Sequence, residues 1–198
     1  MSATNLRGLY AITPEGPGLE AKVGAALEGG IALLQYRRKQ GNAGEAVRIA
    51  ALARSFGVPL IVNDDVSLAL EIGAAGAHLG REDGDLAAAR RRLGNGLLGA
   101  SCYDELERAR AAVAAGADYV AFGSVFPSPT KPHAARAPLR LFAQAKTLGV
   151  PLAAIGGITI ENAAVLVAAG ADLLAVITDL FDAPDIRARA RQYGKLFQ

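Results

Sequence analysis

Residues 114–122 read AAGADYVAF and residues 168–176 read AAGADLLAV. In each, an alanine-rich stretch suited to a helix runs into a glycine and then into a short, β-rich apolar run. A glycine just past a helix end can take the left-handed conformation that terminates it, after which the chain re-enters as a buried strand. Two more joints share this form, EGGIALLQ from Glu28 and AAGAHLG from Ala74. The pattern predicts a repeated helix-to-strand unit.

Working outward, eight strand candidates appear: LYAIT at 9–13, IALLQYR at 31–37, PLIVN at 59–63, GAHLG at 76–80, LLGAS at 97–101, YVAFG at 119–123, PLAAIG at 151–156 and LLAVIT at 173–178. Between them lie GEAVRIAALARSF, DLAAARRRL and DELERARAAVAA, whose apolar residues return every three or four positions as in amphipathic helices. Strands that are apolar throughout and alternate with helices belong to a parallel sheet covered on its faces, and the right-handed crossover rule then favours a closed (β/α)8 TIM barrel, an α/β fold. An open doubly wound sheet is the runner-up. Its glycine signature is missing, since the first strand runs into ITPEGPG and no GxxxxGK[ST] occurs. The units fill residues 1–198 as a single domain, leaving no linker.

Composition adds exclusions. With 52% apolar and 20% charged residues, the chain is an ordinary globular protein, and a net charge of +2 gives no reason to expect nucleic acid as a partner. Cys102 is the single cysteine, so no internal disulfide exists, and the opening MSATNLRGLY lacks the basic and apolar regions of a secretion signal. No long uncharged apolar window suggests a membrane span. A cytoplasmic location is expected.

In a barrel of this kind the chemistry sits at the carboxyl ends of the strands. After the second strand come Gln35-Tyr36-Arg37-Arg38-Lys39, and a two-residue period puts Gln35, Arg37 and Lys39 on one side. The third strand ends in Asn63-Asp64-Asp65 and the fourth runs into Arg81-Glu82-Asp83. Asp65 reads as a helix cap. Asp64 and Asp83 instead form a pair of hard oxygen donors of the kind magnesium takes in phosphate-handling sites, where water and phosphate complete the shell. Ser101 closes the fifth strand with a hydroxyl. The sixth leads into GSVFPSPTK, where prolines limit the conformers that present Ser128, Thr130 and Lys131 to an anion. Glycines at 156 and 157 and the residues Ile177 and Thr178 offer backbone for a second anion, since the loops after strands seven and eight are the recurrent phosphate site of barrel enzymes. Arg37, Lys39, Lys131 and a magnesium ion, less two carboxylates, roughly match the charge of a pyrophosphate. Neither histidine forms a nucleophile–base arrangement, and His78 reads as a hydrogen-bonded packing residue.

Taken in order, LYAIT, QYRRK, ND, GAHLGRED, GSVFPSPTK, IGGI and AVIT resemble the thiamine-phosphate synthase family from Leu9 to Thr178. The resemblance implies a transferase that joins hydroxymethylpyrimidine pyrophosphate to hydroxyethylthiazole phosphate, using Mg2+ and releasing pyrophosphate. It also implies roles. Gln35, Arg37, Lys39, Asn63, Ser101 and Lys131 fall on pyrimidine-pyrophosphate positions, Asp64 and Asp83 on the metal ligands, and Ser128, Thr130, Gly157, Ile177 and Thr178 on the thiazole-phosphate side. Arg37, Lys39 and Lys131 would be the catalytic cations. This chain departs from the usual pattern at Arg81, Cys102-Tyr103, Ser128 and Thr178. The alternatives are a thiazole tautomerase-like isomerase on the same barrel, which needs no pyrophosphate site, and a non-catalytic binding protein for thiamine precursors. Expected partners are small molecules, with neither nucleic acid nor membrane and with homo-oligomer formation left open.

Overall fold

The computed structural model describes residues 6–39, 42–127 and 136–198. Strand and helix alternate as β1 (Gly8–Ile12), α1 (Leu19–Glu28), β2 (Leu33–Tyr36), α2 (Ala43–Ser55), β3 (Leu60–Asn63), α3 (Val66–Glu71), β4 (Gly76–Leu79), α4 (Leu86–Leu93), β5 (Leu97–Tyr103) and α5 (Leu106–Ala114). The order continues with β6 (Tyr119–Phe122), α6 (Arg140–Ala145) with a 3-10 turn at Lys146–Leu148, β7 (Leu152–Ile155), α7 (Ala164–Ala169), β8 (Leu173–Val176), α8 (Thr178–Phe181) and α9 (Ile186–Lys195). Each strand pairs in parallel with its sequence neighbours. The ring closes where β8 returns to β1, Gly8 standing opposite Leu173 and Ala11 opposite Val176. This is the (β/α)8 barrel, and closure excludes the open doubly wound sheet.

Strand side chains alternate between two cores. Leu9 and Ala11 of β1 pack with Val23 of α1 in the layer between sheet and helices, whereas Tyr10 and Ile12 enter the lumen beside Leu33, Ile61 and Tyr119. Because both faces of every strand are covered, the strands read as unbroken apolar runs rather than alternating ones. Helix starts are set by side chains: Asn42, Asp65, Asp85 and Asp185 accept from the backbone N–H groups of Glu45, Leu68, Ala87 and Ala188. Asp65 is thus the cap its position suggested.

Two local expectations change. Gly30, Gly116 and Gly170 do take the left-handed conformation at three of the four joints, but Gly76 lies inside β4. There a Cβ would lie 1.8 Å from the Leu97 carbonyl oxygen of β5, so that glycine serves strand approach, and Gly73 (φ 61°) makes the turn after α3. The fifth strand does not end at Ser101 either. It runs on to Tyr103 through a shift in register against β6, so Ser101 sits within the strand. No helix among the described residues is long and apolar enough to cross a membrane.

Candidate active site

The segment after β2 is fixed from both sides. Tyr36 and Arg38 point one way: the Arg38 guanidinium donates to both oxygens of Glu45 at 2.8 and 2.7 Å and to Glu15 at 3.2 Å, while the Tyr36 hydroxyl donates to Glu45 at 3.1 Å. This bidentate pair holds the Glu45 carboxyl below its ordinary range and anchors the loop. Gln35 turns the other way, into the lumen, and Arg37 faces Asp64. Buried Thr13 clamps the Arg37 backbone twice, accepting from its N–H at 2.9 Å and donating to its carbonyl at 3.1 Å, and the Lys39 N–H donates to Glu15 at 3.1 Å. Thr13 and Glu15 carry no signal in the sequence, because each acts across 24 residues on backbone atoms.

Asp64 follows β3 in the left-handed region (φ 64°), a conformation that Asp tolerates better than most residues and that persists where surroundings enforce it. Its N–H donates to the His78 carbonyl at 2.8 Å, and Asn63 donates to its carboxylate. Asp83, held by the Gly80 N–H at 2.7 Å, reaches the same place, where its carboxyl group comes within hydrogen-bonding reach of that of Asp64. Desolvation first, then the bond to and charge of Asp83, push the Asp64 carboxyl up to about 6, against the opposing pull of Arg37 and Asn63. Two carboxylates brought together from neighbouring strands, all oxygen, fit a hard divalent cation that keeps water or phosphate in its remaining positions. Among the described residues no group of three or more His, Cys, Asp or Glu is gathered where it could hold a metal.

The sign of the pH effect follows. The unfolded chain releases the Asp64 proton near the ordinary value of 3.8, the folded protein near 6, so the metal-free fold loses stability as pH rises through that interval and does not regain it above. A cation bound between the carboxylates removes the repulsion. Magnesium should therefore raise the melting temperature clearly near pH 7.5 and little near pH 5; equal shifts at both, measured by thermal unfolding, would count against the pair as its site.

A chain of buried polar groups crosses the lumen beneath these charges. Gln35 Nε2 lies 2.6 Å from Tyr10 Oη, which is 2.8 Å from Tyr119 Oη; that oxygen is 3.1 Å from His78 Nδ1, and His78 Nε2 is 2.9 Å from Ser101 Oγ. Burial pushes His78 down to about 4, so the ring is a packing and hydrogen-bonding residue, as its strand position suggested, and no base at neutral pH. Tyr10 and Tyr119 were missed, since in LYAIT and YVAFG they read as apolar strand residues. Burial likewise pushes the Cys102 thiol up to about 12, leaving it unreactive.

On the far side of the mouth, Gly157 follows β7, where a Cβ would lie 2.4 Å from the Pro127 carbonyl oxygen. Asn162 braces that turn, donating to the Gly157 carbonyl and accepting from the Thr159 N–H, each at 2.9 Å. Half-buried Ile177 and exposed Thr178 come next around the ring, and Asp179 ties α8 to α9 by accepting from Arg189 and Tyr193 at 2.7 Å. Ser128, Thr130 and Lys131 lie outside the described residues. Arg81 and Tyr103, two of the unusual positions, pack on each other: the guanidinium stands 4.9 Å from the ring centroid and pairs with Glu105, lining with Asp83 an open cavity of about 490 Å³.

Comparison with known proteins is consistent with this geometry. The pattern of the family described as thiamine monophosphate synthase matches residues 9–180. The chain is 62% identical to the thiamine-phosphate synthase of Aromatoleum aromaticum, over 100% of this chain and 99% of that protein. It is 60% identical to the thiamine-phosphate synthase of Chromobacterium violaceum, over 97% of each. Among solved structures, the thiamine phosphate pyrophosphorylase of Pyrococcus furiosus superposes with a TM-score of 0.86 at 34% identity, covering 98% of this chain and 96% of that one.

Proposed function

The chain belongs to the thiamine monophosphate synthase family, and from that premise we propose that its barrel mouth joins hydroxymethylpyrimidine pyrophosphate to hydroxyethylthiazole phosphate, giving thiamine phosphate and pyrophosphate. The observation that carries the reading is the meeting of Asp64 and Asp83 within the field of Arg37. A tautomerase has no use for such a charge cluster, and a mere binding protein no need to hold two carboxylates against each other.

The reaction is a substitution at the pyrimidine methylene carbon. Its C–O bond breaks with the electron pair leaving on pyrophosphate, and the thiazole nitrogen supplies the pair for the new C–N bond. Arg37 and Lys39, with Lys131 from the sequence after β6, stabilise the charge that develops on the departing group. Asn63 and Ser101 donate to the same group, and Gln35 orients the pyrimidine. Gly157, Ile177 and Thr178 hold the thiazole phosphate, and Ser128 and Thr130 add hydroxyls there, so the two reactants are presented at a fixed separation. Asp64 and Asp83 would hold a divalent cation, which we assign as magnesium; bound there it would neutralise leaving-group charge. The chain supplies no nucleophile. We take residues 1–198 as one domain and place the enzyme in the cytoplasm, where an unpaired Cys102 is at home.

Incubation with both substrates and magnesium should yield thiamine phosphate and pyrophosphate in equal amounts, read by chromatography and a phosphate assay. Isomerisation of a thiazole carboxylate without coupled product would hand the site to the tautomerase reading. Binding of both substrates without turnover would make it a carrier.

A further inference from the structure

The polar chain across the lumen joins five strands, with Tyr10 and Tyr119 fully buried and Gln35 and His78 nearly so. Its protons are not independent. The Gln35 amide nitrogen can only donate, so Tyr10 Oη accepts there and sends its single proton to Tyr119. Tyr119, having accepted, gives its own proton to His78 Nδ1. A ring that accepts at Nδ1 carries its proton on Nε2 and donates it to Ser101 Oγ. Ser101 then keeps its hydroxyl proton for another partner. Turning the Gln35 amide over reverses every link: the ring becomes Nδ1–H, Ser101 gives its proton to Nε2 and turns only lone pairs to the mouth, and the Gln35 NH2 replaces its oxygen at the other end. The two orders thus present opposite polarity at both ends, and an anion beside Ser101 is compatible with the first alone.

Resting on the reading that Ser101 meets the pyrophosphate, we propose that Tyr119 is a positioning residue that locks His78 as its Nε2–H tautomer and Tyr10 one that holds the Gln35 amide, so that Ser101 offers a proton to the leaving group while the Gln35 oxygen offers an acceptor to an N–H of the pyrimidine. The lumen therefore links recognition of the ring to recognition of the diphosphate through proton order, without moving any atom far. Gly99 is the enabling residue, because a side chain there would occupy the space of the Tyr119 and His78 rings.

Nitrogen NMR of histidine-labelled protein reads the tautomer directly, and the chain has only two histidines, so a His133→Asn variant identifies the His78 signals. The expected result is an Nε2–H ring in the wild type and a shift towards a mixture of tautomers in Tyr119→Phe, together with about tenfold weaker inhibition by inorganic pyrophosphate and an unchanged KM for the thiazole phosphate. Tyr10→Phe is the complementary variant. It frees the Gln35 amide but leaves Tyr119 donating to His78, so the KM for the pyrimidine substrate should rise while pyrophosphate inhibition stays within about twofold. An Nδ1–H ring in the wild type overturns the proposal, whatever the activities. So does a Tyr119→Phe enzyme that folds, by circular dichroism, and keeps wild-type pyrophosphate inhibition. An Nε2–H ring in a protein that pyrophosphate does not inhibit would instead overturn the placement of the anion at Ser101, and with it the ligand end of the proposal, while the proton order stood.

Discussion

Asp64→Asn should lower turnover by about a hundredfold while making the metal-free protein more stable at neutral pH. Asn is close to Asp in size and accepts the left-handed backbone that this position imposes, so the change removes charge with little change of shape. The carboxylate pair is unfavourable without a cation, as the upward push on Asp64 shows, and the amide relieves it. Activity and stability therefore move in opposite directions, the expected mark of a residue whose arrangement serves catalysis at the expense of the fold. Between pH 4 and 6 the wild type should lose stability that the variant keeps. Steady-state rates across a magnesium titration, set beside thermal melts over that pH range, check both halves. Wild-type turnover in Asp64→Asn would falsify the placement of the metal pair.

Gly99→Ala should damage both the fold and the site. A Cβ there would lie 2.2 Å from Cζ of Tyr119 and 2.4 Å from Nδ1 of His78, and both rings are buried among β-strand side chains with no direction in which to withdraw. Overpacking of this kind costs about 1–3 kcal/mol. It should also displace the hydroxyl that donates to His78, so turnover falls in addition, by about tenfold at a temperature where the variant is still folded. Urea unfolding and single-temperature kinetics separate the two effects. A variant with wild-type stability would show that the rings have room to move and that the lumen is looser than its contacts indicate.

These two sites also show what the sequence makes legible. Asp64 and Asp83 could be paired from their places after adjacent strand candidates, because a parallel barrel brings successive strand ends together by construction. The period of two separated Arg37 from Arg38 for the same local reason. The lumen chain was invisible. Its members come from β2, β1, β6, β4 and β5, and the link from Tyr10 to Tyr119 spans 109 residues, so it depends on strand register and on which residues share a layer inside the ring. Tyr serves equally well as an apolar filler and as a hydroxyl, and nothing beside residue 10 or 119 distinguishes the two uses. Gly76 and Ser101 were misjudged for a related reason. A glycine after alanines looks like a helix end whether the turn falls there or three residues earlier, and a bulge that carries β5 past Ser101 has no fixed sequence signature.

Closure of the ring between β1 and β8 bears on how the chain is made. Until residues 173–176 have left the ribosome, β1 and β7 each present an unpaired edge, and the lumen stands open along one seam. All five members of the polar relay precede that strand in the chain, the last at residue 119, so none of their hydrogen bonds needs β8 as a partner. Arrival of the final strand seals that interior and gives the nascent polypeptide its first state without a free border to which another copy could add.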